Sequence, residues 1–149
     1  MPAKNLNFYS PRNCLCFNAR KTARLLTRAY DAALAPAGVT ATQFSLLAVL
    51  EGAGEMRMSD LSMLVETDRT TLTRNLNILE RDGIIERRTG DDARERLVKL
   101  TATGRRKLAI AMKHWTSAQQ ESVESIGTKM AEAFINQSAA IKDIIEPEA

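Results

Sequence analysis

Between residues 67 and 94, hydroxyl, amide and guanidinium side chains recur at spacings that can present them together. Leu72, Leu76 and Leu79 fall at i, i+4 and i+7, so at about 100° per residue they share one face of a helix. Thr70, Thr73, Arg74, Asn77 and Arg81 point the opposite way. A helix with an apolar back and a Thr/Arg/Asn front suits the major groove of double-stranded DNA. The leucines anchor it while the polar groups meet phosphates and base edges. Other chemistry is poorly provided for. His114 is the single histidine and has no serine, cysteine or acidic partner at a recognisable spacing. No Gly-rich phosphate loop and no paired-carboxylate motif occurs, so the expectation is no catalytic residue, no cofactor and no enzyme. Cys14, Cys16 and His114 are too few for a zinc site, and no metal is expected.

The elements that must hold this helix can be read around it. Residues 1–11 are polar, with prolines at 2 and 11, and form a lead-in. A helix is expected from Arg12 to Ala35, with Leu15, Ala19, Ala23, Leu26, Tyr30 and Ala33 on one stripe and Pro36 and Gly38 ending it. Thr40-Ala41-Thr42-Gln43 fits a capping box opening the next helix, which turns Phe44, Leu47 and Leu50 inward and stops at Gly52 and Gly54. Ser59 is the expected N-cap of a short helix burying Leu61, Leu64 and Val65. Either Thr67 or Asp68 caps the Thr/Arg helix, which runs to Asp82 and stops at Gly83. Residues 84–88 and 96–100 read as a hairpin around the polar loop Thr89–Glu95. Beyond Thr101, Leu108, Met112, Trp115, Gln119 and Val123 form one helical stripe, punctuated by Gly127. Met130, Phe134, Ile141 and Ile145 continue into a final helix.

Charge distribution supports the same focus. Residues 69–107 hold eleven Lys/Arg against six Asp/Glu, while residues 108–149 are net acidic. A basic surface on the helix and hairpin is the footprint of a polyanion partner. No run of about twenty apolar residues occurs, so no membrane span is expected, and the polar N-terminus lacks a signal core. The expected location is the cytoplasm. The first helix and the last two have long apolar stripes at opposite ends of the sequence. Packing against a second copy is the simplest way to bury them, which predicts a homodimer, with an intramolecular bundle as the alternative.

The order of elements and several local motifs resemble the MarR family of bacterial transcriptional regulators. The resemblance lies in Thr42-Gln43-Phe44-Ser45-Leu46-Leu47, Asp60-Leu61, and Asp68-Arg69-Thr70-Thr71-Leu72-Thr73-Arg74. It continues through Leu79-Glu80-Arg81-Asp82-Gly83-Ile84-Ile85, Asp92-Ala93-Arg94 and Leu100-Thr101-Ala102-Thr103-Gly104. It implies a mainly α fold with a small β-hairpin wing, a winged helix-turn-helix with N- and C-terminal dimerisation helices. The division is then 1–36 for the arm and first dimerisation helix, 37–101 for the DNA-binding lobe and 102–149 for the C-terminal dimerisation helices. It also implies a dimer on a pseudo-palindromic operator, repression as the family's common mode, and release by a small molecule or an oxidant.

The DNA candidates are Thr67, Arg69, Thr70, Thr71, Thr73, Arg74, Asn77, Arg88, Asp92 and Arg94. The threonines occupy the first turns of the helix, where N–H groups and the dipole favour phosphate. Arg74 can reach a guanine edge or a phosphate. Arg69 is placed for a backbone contact, and Arg87 and Arg88 flank it. Arg94, at the wing tip, is the candidate for a minor groove, with Asp92 holding its guanidinium.

Two routes to release are expected. One is a small aromatic or amphipathic anionic effector in a pocket with Arg20, Tyr30, Phe44 and Trp115 as candidate lining residues. The other is thiol oxidation. Cys16-Phe17 resembles the organic-hydroperoxide-sensing branch of the family, and Tyr30 matches one of its tyrosines, although Ala41 stands where the second is expected. Fourteen helical residues span about 21 Å, so only a partner's Tyr30 can reach Cys16. If both cysteines are helical, residues two apart diverge by about 200°, and a Cys14–Cys16 bond would need distorted backbone. Nonspecific architectural DNA binding is the remaining alternative.

Overall fold

The computed structural model describes residues 6–92 and 95–145. A 3-10 turn at Pro11–Asn13 leads into α1 (Leu15–Leu34), followed by α2 (Ala41–Ala53), β1 (Met56–Arg57) and α3 (Met58–Leu64). The long polar helix is α4 (Arg69–Arg81). Then come β2 (Ile85–Thr89), β3 (Arg96–Leu100), α5 (Ala102–Ile126) and α6 (Thr128–Ile145). The expected fold class, mainly α with a small wing, is the one observed.

Local chemistry accounts for most helix starts. Thr40 and Gln43 form the full capping box, with Gln43 N–H donating to Thr40 Oγ1 at 3.2 Å and Thr40 N–H donating to Gln43 Oε1 at 3.0 Å. Asp68, rather than Thr67, caps α4 by accepting from the Thr71 N–H at 2.9 Å. Gly83, at φ 68°, takes the left-handed conformation just beyond α4. The expected cap at Ser59 is corrected: α3 starts at Met58 with Arg57 as N-cap, and Ser59 Oγ donates instead to Asp60 Oδ1. The reason is tertiary, because Met56 and Arg57 pair with Val98 and Leu97 as a third strand, and the chain passes from ladder to helix without a spacer. The wing is therefore a three-stranded antiparallel sheet in the order β1-β3-β2, with Ile85 opposite Leu100 and Thr89 opposite Arg96.

One cluster forms the core: Leu34, Phe44, Leu46, Leu47 and Leu50 meet Leu61, Leu72, Leu76, Leu79, Ile85, Val98, Leu100, Leu108 and Ala111. Two expected core positions are not in it. Leu64 ends α3 and is 63% exposed, and Met112 is 39% exposed. The buried face of α5 runs instead through Gly104, Leu108 and Ala111, the rotation selected by packing on α1 and α2. For α4, burial decides the fold. Three Thr and two Asn cost about 3 kcal/mol in helix propensity, whereas three buried leucines contribute about 5–9 kcal/mol.

The terminal helices look different. Only Leu34 of α1 is buried, and Leu15, Phe17, Leu25 and Leu26 are exposed. On α6, Met130, Phe134, Ile135, Ile141 and Ile145 are exposed. Among the described residues no single helix is long and apolar enough to cross a membrane. The bent pair α1–α2 passes on length and composition together, and the buried residues of α2 account for its apolar content.

Candidate nucleic-acid interface

The back of α4 is closed off by Leu72, Leu76 and Leu79, so its other face must be outward. There Arg69, Thr70, Thr73, Arg74 and Asn77 line one shallow groove along the helix. Arg69, Thr70, Arg74 and Asn77 are exposed, and Thr73 is half-buried. Arg69 and Arg74 have no ion-pair partner among the described residues. They are the uncompensated cations of this face.

The threonines divide by role. The Thr73 hydroxyl donates to its own helix, at Arg69 O, at 2.7 Å, which leaves its oxygen free to act only as an acceptor. Thr71 belongs to the cap. Its hydroxyl and backbone hydrogen bonds hold the Asp68 carboxyl below its ordinary value. Thr70 alone of the three presents an exposed side chain at the first turn. Thr67 stands outside the groove, half-buried, with its carbonyl accepting from Ser62 Oγ at 2.8 Å.

On the wing, alternation along β2 sends neighbouring arginines to opposite sides. Arg87 turns to α4, where its guanidinium donates to Glu80 Oε2 and, at 2.8 Å, to Asn77 Oδ1. The Arg87 hydrogen bond holds the Glu80 carboxyl below its ordinary value. Arg88 turns away to Glu55, with Nε to Oε1 at 2.8 Å. Arg57 bridges Glu95 at 2.6 Å and Lys99 bridges Glu86 at 2.9 Å. Of the basic residues counted in 69–107, Arg87, Arg88 and Lys99 are thus paired within the chain, Arg88 with Glu55. Asp92 is exposed in the wing loop, where its carbonyl accepts from the Glu95 N–H at 2.9 Å. Arg94 lies outside the described residues.

A second groove adjoins the first, between the start of α3, the start of α4 and the wing, lined by Arg57, Ser59, Ser62, Arg69, Glu95 and Arg96. Arg57 and Arg96 carry no signal of this placement in the sequence, because their closeness to Arg69 depends on strand β1. Its one visible signal is the alternation of Met56 and Met58 about Arg57.

The effector candidates separate in space. Tyr30, Phe44 and Trp115 line one cavity of about 210 Å³ with Leu26, Leu34 and Ala41, and Arg20 is not part of it. Phe44 and Trp115 stack with centroids 5.6 Å apart, and the Tyr30 hydroxyl donates to Gln119 Oε1. Cys14 and Cys16 are both exposed. Cys14 is not helical: it is the N-cap of α1, with φ −60° and ψ 125°. The 200° divergence expected for two helical residues does not apply to this pair. Among the described residues, no group of three or more His, Cys, Asp or Glu side chains is placed to hold a metal ion.

Two helices joined by a short turn, the second exposed and polar and followed by a three-stranded wing, define a winged helix-turn-helix. Residues 39–95 match the MarR family. The HTH-type transcriptional regulator YwoH of Bacillus subtilis is 32% identical over 93 residues, which are 62% of this chain and 68% of YwoH. The M. tuberculosis transcriptional regulator MosR, solved in complex with DNA, is 40% identical. That likeness covers 88% of this chain and 98% of MosR, at a TM-score of 0.77. A mutant MarR from E. coli complexed with operator DNA shares the fold, at 23% identity and a TM-score of 0.76, over 85% of this chain and 92% of that one. The chain belongs to the MarR family of winged-helix transcriptional regulators.

Proposed function

We propose that this chain is a sequence-specific regulator that binds double-stranded DNA as a homodimer and represses transcription from a pseudo-palindromic operator until a small ligand releases it. The observation carrying the DNA reading is the α4 groove, where Arg69, Thr70, Arg74 and Asn77 stand exposed over a leucine-anchored back. MosR and MarR relatives solved with DNA support it. The exposed apolar faces of α1 and α6 support pairing of two copies through residues 1–36 and 102–149, with 37–101 as the DNA lobe. The effector we propose is a small aromatic or amphipathic anion; the cavity at Tyr30, Phe44 and Trp115 supports its aromatic part, its walls supplying stacking and a phenol, while no basic side chain lines it.

The test is a mobility-shift titration and footprint on DNA flanking the gene. Two protected half-sites about one helical turn apart are expected. Continuous protection without a preferred site would leave only architectural binding. A monomeric mass by light scattering at micromolar concentration would remove the dimer.

Thiol control through Cys16 is a second reading, favoured by the exposure of Cys16 and by the non-helical backbone at Cys14. Cumene hydroperoxide should then abolish the mobility shift, with Cys16 modified by mass. An unchanged shift with an unmodified thiol would end that reading.

A further inference from the structure

The contact between Arg87 and Asn77 has consequences for what α4 can read. Arg87 is anchored by Glu80, and from there its Nη2 donates to Asn77 Oδ1 at 2.8 Å. A guanidinium has donors and no acceptor, so chemistry alone requires the carboxamide oxygen, not the nitrogen, to face it. The Asn77 nitrogen, with its two N–H groups, occupies the other branch of the same planar group. Asn77 itself is exposed and lines the α4 groove with Arg74 and Thr73.

We propose that Arg87 orients the Asn77 amide so that its N–H branch reads one major-groove base edge, favouring guanine or thymine over adenine. The inference rests on the DNA-binding reading above. An unconstrained asparagine recognises adenine through both branches, its oxygen accepting from N6 and its nitrogen donating to N7. With Arg87 donating to one lone pair of the oxygen and the amide plane held, the N6 amino group is offered only a weakened second lone pair of fixed direction, and adenine keeps N7 alone for the N–H branch. Guanine offers O6 and N7, and thymine offers O4, all acceptors for the free branch. Arg87 is thus a positioning residue for specificity and Asn77 the reading residue, and the pair couples the wing strand β2 to the recognition helix.

Selection from a randomised duplex pool, followed by sequencing of the bound fraction, tests this for the full-length protein and three variants. The unsubstituted protein should select guanine or thymine at one position per half-site, and Asn77→Ala should lose preference there alone. Asn77→Asp keeps an oxygen for Arg87 but turns an oxygen outward, so the preference should move by roughly tenfold towards cytosine or adenine, whose amino groups donate. Arg87→Met should raise the adenine-to-guanine ratio at that position while other positions keep theirs. A thermal melt reports whether Arg87→Met is folded; if it is not, Asn77→Asp decides. Adenine selected at the Asn77-dependent position overturns the proposal. So does uniform weakening by Asn77→Ala, or an unshifted preference in Asn77→Asp. If the unsubstituted protein enriches no motif while binding the pool, specific recognition itself fails; if it does not bind, the DNA reading fails.

Discussion

Gly104→Ala sets two effects of similar size against each other at the joint between wing and α5. Gly104 is in the first turn of α5, and its φ is not in the left-handed region, so the backbone alone would accept alanine. Helix propensity favours the change by up to about 1 kcal/mol. The neighbour forbids it. A Cβ at Gly104 would stand 2.0 Å from Ile84 O and 3.3 Å from Ile84 Cγ2. That carbonyl is not free to retreat, because it accepts from the Thr101 N–H at 3.1 Å, and the Thr101 hydroxyl, 3.1 Å from it, donates to the adjacent Gly83 O at 2.7 Å. Thr101 Oγ1 in turn caps α5 by accepting from the Gly104 N–H at 3.0 Å. Overpacking costs about 1–3 kcal/mol, and a disturbed cap adds about 1 kcal/mol. The net loss is about 1–3 kcal/mol. For a chain of this size that lowers Tm by about 3–9 °C. Differential scanning calorimetry at one fixed protein concentration reads it, since association would make Tm concentration-dependent. A Tm unchanged within a degree, or raised, would show that propensity wins and that the Ile84 carbonyl yields.

Other perturbations separate the roles of neighbouring groups. Arg74→Ala should cost about 1–3 kcal/mol of operator affinity and relax base preference; in a mobility-shift series, equal loss on every operator variant would demote it to a phosphate contact. Arg94→Ala should weaken binding by a similar amount and lower the salt slope by about one, and an unaltered titration across salt would remove it from the interface. Acid should destabilise the fold. The Asp68, Glu80 and Glu55 carboxyls are each held below their ordinary values, by Thr71, Arg87 and Arg88 respectively, so their contribution is present above the ordinary carboxylate range. It is lost as pH falls through the lowered values. Melting curves from neutral pH to about pH 3 should show this, and Asp68→Asn should flatten part of the acid slope while leaving neutral stability nearly unchanged, because asparagine also caps.

Much of the lobe was legible because its signals are local. The capping box at Thr40–Gln43, the leucine spacing of α4, the stop at Gly83 and the hairpin pattern each depend on residues within a turn or two of one another. These are set by helix geometry and by hydrogen-bond groups that neighbouring side chains must satisfy. Strand β1 was not legible, since two residues become a strand only when Leu97 and Val98 lie alongside. The same strand moves the α3 cap from Ser59 to Arg57 and brings Arg57 beside Arg69. Tertiary packing likewise chose the face of α5 that is buried, leaving Met112 outside.

For the candidate site, the chain's order of residues determined which side chains share the outward face of α4, because helical periodicity alone puts Thr70, Thr73, Arg74 and Asn77 opposite the leucines. Which of them keep free chemistry was decided only by the fold. Ion pairing is a matter of proximity across elements, so Arg88 ends on Glu55 and Arg87 on Glu80 and Asn77, while Arg69 and Arg74 keep exposed guanidiniums. Charge counted along a sequence cannot reveal that division, because the partners lie 7 to 33 residues away. The reason for Gly104 is of the same kind: it is required by a carbonyl twenty residues earlier, brought within reach only when the wing closes onto α5.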